Sequence, residues 1–413
     1  RRAGMIEQGC GPVLVGHLGH ARLVALEGFL RRNDQPHTVI DARSDPDALA
    51  LLERITPSAD DFPIVVCPDG TVLRAPTESE LATRLGWLPV IDSTRTYDVV
   101  IVGAGPAGLA TAVYAASEGL SVAVFDARAP GGQAGASARI ENFLGFPLGI
   151  SGQALAGRAF VQAQKFGAHV FIPSQVETLR CEDDTVALRL ASGDRITART
   201  VVIASGASYR RPSIRGIERF EGRGVYYWAS PIEARLCAGQ EVVIVGGGNS
   251  AGQAAAYLAS HARRVRVLVR RDGLEATMSR YLIDRLSGLP NVALSVQTEI
   301  DSLDGDEQGL REIHCSSPNG RQTLAVRHVF LFTGADANTE WLRGCGVDLD
   351  EKGFVLTGTD VAERDFNGAS PLETSLRRVF AIGDVRSSSV KRVAAAAGEG
   401  AAVVAQIHAA LTA

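Results

Sequence analysis

The chain has 413 residues, 46% of them hydrophobic and 21% charged, the texture of a folded protein with two or three domains. Its formal net charge of −4 is spread along the chain, which excludes the concentrated basic face that nucleic acid or an anionic membrane selects. Only three of the 42 basic residues are Lys, a bias given no functional weight. The six cysteines (Cys10, Cys67, Cys181, Cys237, Cys315 and Cys345) form no CxxC and show no metal-ligand spacing. They read as isolated thiols of a reducing cytosol, with no metal expected. No secretory signal is evident, nor an apolar run long enough to span a bilayer, so a cytoplasmic location is expected. The chain begins with Arg1 rather than Met, which leaves room for a preceding segment.

Residues 11–90 read as a small α/β unit in the order βαβαββα. Pro12 to Gly16 is a short strand, and Ala21 to Arg32 is a helix with Leu23, Leu26, Phe29 and Leu30 on one face. Thr38 to Asp41 is a second strand. Asp45 and Pro46 open the next helix as cap and first-turn residue. Two strands flank the turn signal Pro68-Asp69-Gly70, and Ser79 to Leu85 is a closing helix. This order resembles a thioredoxin or glutaredoxin domain, with Pro63 where such domains carry a cis-proline. The cysteine pair is absent, because the corresponding stretch reads Gly16-His17-Leu18-Gly19-His20. A domain of this shape without the redox cysteine pair is expected to dock or to support structure rather than to catalyse. His17 and His20 are expected as surface residues. Leu88 to Arg95 reads as a linker, with domains expected over 1–90 and from 97 onward and 91–96 between them.

From Tyr97 the texture changes to βαβ units. The run Asp98 to Val102 flows into Gly103-Ala104-Gly105-Pro106-Ala107-Gly108 and an Ala-rich helix. Gly103 permits the tight turn, Gly105 lets backbone approach a pyrophosphate, and Gly108 permits close helix–strand packing. The phosphates then sit at a helix N-terminus, where unpaired N–H groups favour anions. The strand Val122 to Phe125 ends in Asp126, 23 residues past Gly103, where a carboxylate can bind a ribose diol. The unit recurs. Glu241 to Val245 leads into Gly246-Gly247-Gly248-Asn249-Ser250-Ala251, with Ala as the tolerated third glycine. Here the acid slot holds Val269, followed by Arg270 and Arg271. Two guanidiniums pair with a 2′-phosphate that a carboxylate would repel, so NADPH is expected over NADH. The bland alternative is a solvated strand end.

Along nearly their whole length, residues 97–413 resemble low-molecular-weight thioredoxin reductases. Gly131-Gly132-Gln133 and Glu141-Asn142-Phe143 are similar to flavin-contacting segments of that family, and Ala204-Ser205-Gly206-Ala207 to its ATGA turn. Thr333-Gly334-Ala335 with Asn338-Thr339 resembles the segment before its last FAD motif. Phe380-Ala381-Ile382-Gly383-Asp384-Val385 resembles that motif itself, in which Asp384 would bind the ribityl chain. Lys391-Arg392-Val393 occupies the segment whose backbone reaches the isoalloxazine, with different side chains. The resemblance implies an FAD domain over 97–209 and 335–413, an NADPH domain inserted at 210–334, and a homodimer. The fold class expected is therefore α/β, two Rossmann-like domains preceded by a thioredoxin-like one.

One departure bears on function. After the lead Gly222-Arg223-Gly224-Val225 the family carries its CxxC, and here Trp228 and Pro231 occupy the cysteine slots. Ile232 stands where the family has an acid. Thiol–disulfide exchange needs a thiolate and a resolving partner, and Trp and Pro offer neither. Trp228, Tyr226 and Tyr227 either face flavin and substrate or fill the vacated volume. Cys237 reads as an ordinary apolar residue, and Glu233 as a carboxylate at a helix N-terminus. Glu399 lies where the family's flavin-end and dimer contacts fall. Three functions remain open. The first is an NADPH-dependent flavoprotein whose acceptor is a quinone, oxygen, ferredoxin or small molecule. The second is a slow or non-catalytic redox sensor. The third is a reductase working through an unidentified thiol.

Overall fold

The computed structural model describes residues 11–18, 20–87, 90–182, 184–361 and 370–412. Cys10, Gly19 of the thiol-less stretch, and Leu88 and Pro89 of the expected linker lie outside the described residues. The chain forms two compact units. One comprises Arg1–Thr77, Ser137–Arg139 and Tyr209–Gly334, and the other Glu78–Ala136, Ile140–Ser208 and Ala335–Ala413.

In the first unit the small sheet is centred on Val13–Gly16. Thr38–Asp41 runs parallel on one side, and Ile64–Val66 antiparallel on the other, followed by Val72–Arg74. Helix Ala21–Arg32 buries Leu23, Leu26, Phe29 and Leu30, the face that its spacing predicts. Asp45 caps helix Pro46–Ile55 by accepting the N–H groups of Asp47 and Ala48 at 3.0 and 3.1 Å, worth about 1 kcal/mol. The Phe62–Pro63 peptide is cis, as expected for this domain shape. The closing helix is Glu78–Arg84, and it groups with the second unit, where Arg128 pairs with Glu78 at 2.8 Å.

The same unit contains a five-stranded parallel sheet in the order Val225–Tyr226, His328–Leu331, Glu241–Val245, Arg264–Leu268, Val292–Ser295. Its central strand buries Val242, Val243 and Ile244 completely, because helices and a second sheet cover both faces. That second sheet is an antiparallel meander of Glu299–Asp306, Gly309–Ser317 and Gly320–Ala325.

The second unit is built on a mixed sheet. His169–Phe171, Val122–Phe125, Thr96–Val102, Arg195–Ile203 and Val379–Ala381 run parallel. Thr185–Leu190 and Val176–Glu182 extend it as an antiparallel flap. Val99 to Ile101 are fully buried, each contributing about 1.5–3 kcal/mol by leaving water. Helices Pro106–Ser117 and Val393–Thr412 pack on one face of this sheet around Phe380 and Ile382.

Helix Val393–Thr412 corrects one expectation, since by length and composition alone it is long and apolar enough to cross a membrane. The reading missed it because its apolar character comes from many small Ala residues rather than a Leu/Ile/Val run. Its Ala396, Gly400, Val403, Val404 and Ile407 are buried in the unit. Its polar residues also bond within the unit: Gln406 accepts the Leu372 N–H at 2.9 Å, and His408 meets Glu118 at 2.9 Å.

Candidate functional site

The first glycine fingerprint is the turn from strand Thr96–Val102 into helix Pro106–Ser117. Gly103 has φ +111°, and a Cβ there would stand 2.2 Å from the Ala204 carbonyl oxygen. A Cβ on Gly108 would stand 1.9 Å from the Gly103 carbonyl oxygen, which is the close helix–strand approach expected of it. Gly105 caps the helix with no side chain, and its own Cβ position is open apart from Gly132 at 3.9 Å. Pro106 and Ala107 form the first turn. The helix therefore presents bare N–H groups at an accessible end, which fits a pyrophosphate. Asp126 ends its strand as expected and does more. Its Oδ2 accepts the Ala104 N–H at 2.9 Å, and its Oδ1 accepts those of Arg128 and Ala129 at 2.9 and 3.1 Å.

Around this turn the other expected residues gather in the same unit. Gly131 donates its N–H to the Ala104 carbonyl at 2.7 Å, which seats Gly132 beside Gly105. The Gln133 side-chain amide donates to the Ala207 carbonyl. Asn142 is exposed. The Ala204–Gly206 turn is pinned by Asn338, whose amide donates to the Ser205 carbonyl while Ser205 Oγ donates to the Asn338 carbonyl, both at 2.8 Å.

The turn Gly383–Val385 is held from two sides. Glu399 accepts the Gly383 N–H at 2.6 Å and pairs with Arg386 at 2.5 Å. Lys391 donates to the Asp384 carbonyl at 2.7 Å and to Ser389 Oγ at 2.7 Å, with its ammonium 4.3 Å from the Phe354 ring centroid. Burial holds the Asp384 carboxyl above its ordinary range; Lys391 counters that shift and Glu399 adds to it. Burial likewise lowers Lys391, against the pull of Asp384. The Lys391 side chain, and not the backbone alone, thus has a place in this turn. Arg392 is exposed, and Val393 begins the last helix. Sequence reasoning missed Arg386, which carries no motif; only proximity to Glu399 across a turn reveals it.

The second fingerprint repeats this geometry in the first unit. Gly246 has φ +137°, with a built Cβ 2.4 Å from the Phe332 carbonyl oxygen, and the space at Gly248 is open. Asn249 and Ser250 start the helix, Asn249 Oδ1 accepts the Ser279 N–H at 2.7 Å, and Ala251 is fully buried. Val269 is buried, whereas Arg270 and Arg271 are exposed at the strand end, neither held by an acid among the described residues.

The cysteine slots form a closed helix start. Ser230 caps helix Pro231–Leu236 by accepting the Ile232 N–H at 3.2 Å. Glu233 accepts the Ser230 N–H at 2.9 Å and the Ser230 hydroxyl, completing a capping box. Its other oxygen accepts the Trp228 indole N–H at 3.0 Å. Glu233 is 1% exposed, so these bonds are what permit a buried carboxylate there. Trp228 remains 38% exposed. Both tyrosine hydroxyls have partners within the unit. Tyr227 donates to Glu221 at 2.6 Å, and buried Tyr226 lies 3.5 Å from His328 Nδ1. Burial, then nearby acids, raises both phenols. Cys237 is fully buried, and burial pushes its thiol up to about 11, the reverse of a reactive thiolate.

Burial, reinforced by Arg327, lowers the His328 imidazole from 6.5 to about 4. The folded protein thus keeps His328 neutral while an unfolded chain protonates it near pH 6.5. This contribution is complete above pH 6.5 and is lost as pH falls toward 4, about 3 kcal/mol in all. Urea unfolding of wild type and His328→Gln across this window is expected to show a steeper acid loss in wild type.

Cysteines 67, 181, 237, 315 and 345 form no disulfide among the described residues. Asp304, Glu312 and His314 place ligand atoms within 4.8 Å of one another, a grouping that sequence spacing concealed because the meander creates it. They are partly or fully exposed, and Glu312 already faces His314 at 3.5 Å.

Comparison with known proteins agrees with this geometry. The sequence profile of the family described as pyridine nucleotide-disulphide oxidoreductase matches residues 97–400. The thioredoxin reductase of Mycoplasmopsis pulmonis is 31% identical over 312 residues, covering 75% of this chain and 96% of that protein. The NADPH-dependent thioredoxin reductase 3 of Arabidopsis thaliana is 35% identical over 311 residues, 73% of this chain and 56% of that longer protein. A solved thioredoxin reductase of T. acidophilum superposes with TM-score 0.71 at 26% identity, over 77% of this chain and 100% of that one. The chain therefore belongs to the pyridine nucleotide-disulphide oxidoreductase family and is a thioredoxin-reductase-like flavoenzyme.

Proposed function

We propose that this protein takes hydride from NADPH onto FAD and delivers the electrons to an acceptor other than a disulfide reduced by an internal CxxC. One observation carries the reading: the dithiol slots are a self-satisfied helix cap, while both glycine fingerprints keep open, anion-ready helix starts. Gly103, Gly105, Gly108, Asp126, Gln133 and Asp384 would hold FAD. Gly246, Gly248, Arg270 and Arg271 would hold NADPH. When bound, the two dinucleotides supply a hydride donor and a two-electron carrier. The chain supplies the rest. Its bare helix N-termini neutralise phosphate, Lys391 and Glu399 fix the turn bearing Asp384, and Arg270 with Arg271 select the 2′-phosphate. The acceptor is a quinone, oxygen, ferredoxin or small molecule, the working form is a homodimer, and cysteines without disulfides among the described residues fit a reducing cytoplasm.

The test is anaerobic stopped-flow mixing of the yellow protein with NADPH or NADH, following the flavin's visible band. Rapid bleaching by NADPH, and far slower bleaching by NADH, is the expected result. Tight NADPH binding without bleaching would overturn the reading and favour a nucleotide sensor.

A further inference from the structure

Helix Ala21–Arg32 of the small domain uses two faces. Leu23, Leu26, Phe29 and Leu30 enter its own core. Glu27 and Arg31, four residues apart, fall on a different stripe, and Glu27 meets the parallel-sheet module of the same unit. Arg235 pairs with Glu27 at 2.5 Å, and the Glu27 side chain is only 13% exposed. A Cβ built on Gly222 would lie 2.7 Å from the Ala21 Cβ, so the backbones approach closely at the first helical turn. Burial, then the charges of Arg22 and Arg223, holds the His20 imidazole below its ordinary range. Gly222, Arg223 and Arg235 bracket Trp228 and Pro231, while His20 ends the Gly16–His20 stretch. Two stretches without the expected cysteines thus flank one interface.

We infer that the small domain is a resident, redox-inert partner of this module, docked on the surface around residues 222–235 and keeping any separate thioredoxin-fold protein off it. A partner tethered in the same chain acts at an effective concentration on the order of millimolar, beyond what a free protein at micromolar level can displace. The domain's lack of a redox cysteine pair then suits its role, since an occupant needs shape and charge and not redox chemistry.

Hydrogen exchange of the full chain, read by mass spectrometry, tests this. Amides of residues 232–236 are expected to exchange slowly and to be unaffected by excess free thioredoxin. Glu27→Arg sets a cation against Arg235, and is expected to speed that exchange about tenfold while Val15 and Phe29 amides stay protected. Glu27→Arg with Arg235→Glu is expected to restore it. No change in the single variant, no restoration in the double, or slowing by added thioredoxin would each overturn the inference.

Discussion

Replacing Arg270 and Arg271 together with Ala is expected to raise the NADPH dissociation constant about a hundredfold and to leave NADH binding nearly unchanged. Both guanidiniums stand exposed at the end of strand Arg264–Leu268, where the first fingerprint instead carries Asp126. Hydrogen bonds to charged groups contribute about 1.5–3 kcal/mol each. Neither Arg has a competing acid among the described residues, so nothing else is disturbed by removing them. Single variants are expected to lose roughly tenfold each. The measurement is a titration of each nucleotide against intrinsic fluorescence at fixed ionic strength, because screening weakens such contacts. A parallel loss of NADH affinity would show instead that the arginines support the fold.

Gly108→Ala is expected to empty the protein of flavin and to destabilise the second unit by more than about 3 kcal/mol. Overpacking commonly costs 1–3 kcal/mol, and here the obstacle is backbone. The new methyl would lie 1.9 Å from the Gly103 carbonyl oxygen and 3.2 Å from Ile101. Either the helix lifts from the sheet or the glycine turn opens, and each displaces the N–H groups proposed to face the FAD phosphates. The readouts are the ratio of visible to ultraviolet absorbance after purification and the denaturant midpoint. Gly248→Ala is the informative control, since a methyl there meets nothing within 4 Å and the module should fold normally.

Both fingerprints were legible in the sequence because their demands are local. A turn that needs φ near +111° at Gly103 and near +137° at Gly246 leaves a written trace. The capping box was equally local, since Ser230 and Glu233 stand three residues apart, yet reading Glu233 by the helix dipole alone hid its bonds to Ser230 and Trp228. Other features depend on residues that only folding brings together. Arg386 and Glu399 meet across a turn and the start of a helix, and the small domain meets residues 222–235 from two hundred positions away. Helix Glu78–Arg84 was read with the domain before it and groups with the unit after it, because its partner Arg128 carries no motif.

The Glu233 bonds also limit how this protein can change. Restoring cysteines at 228 and 231 would look like a two-step return to disulfide chemistry. The first step removes the indole donor and leaves a buried carboxylate short of a partner. The second removes Pro231 from the first helical turn, where its missing N–H costs nothing. A chain with this helix start therefore has to give up the Trp228–Glu233 bond and its proline-led first turn before a cysteine pair can stand at 228 and 231.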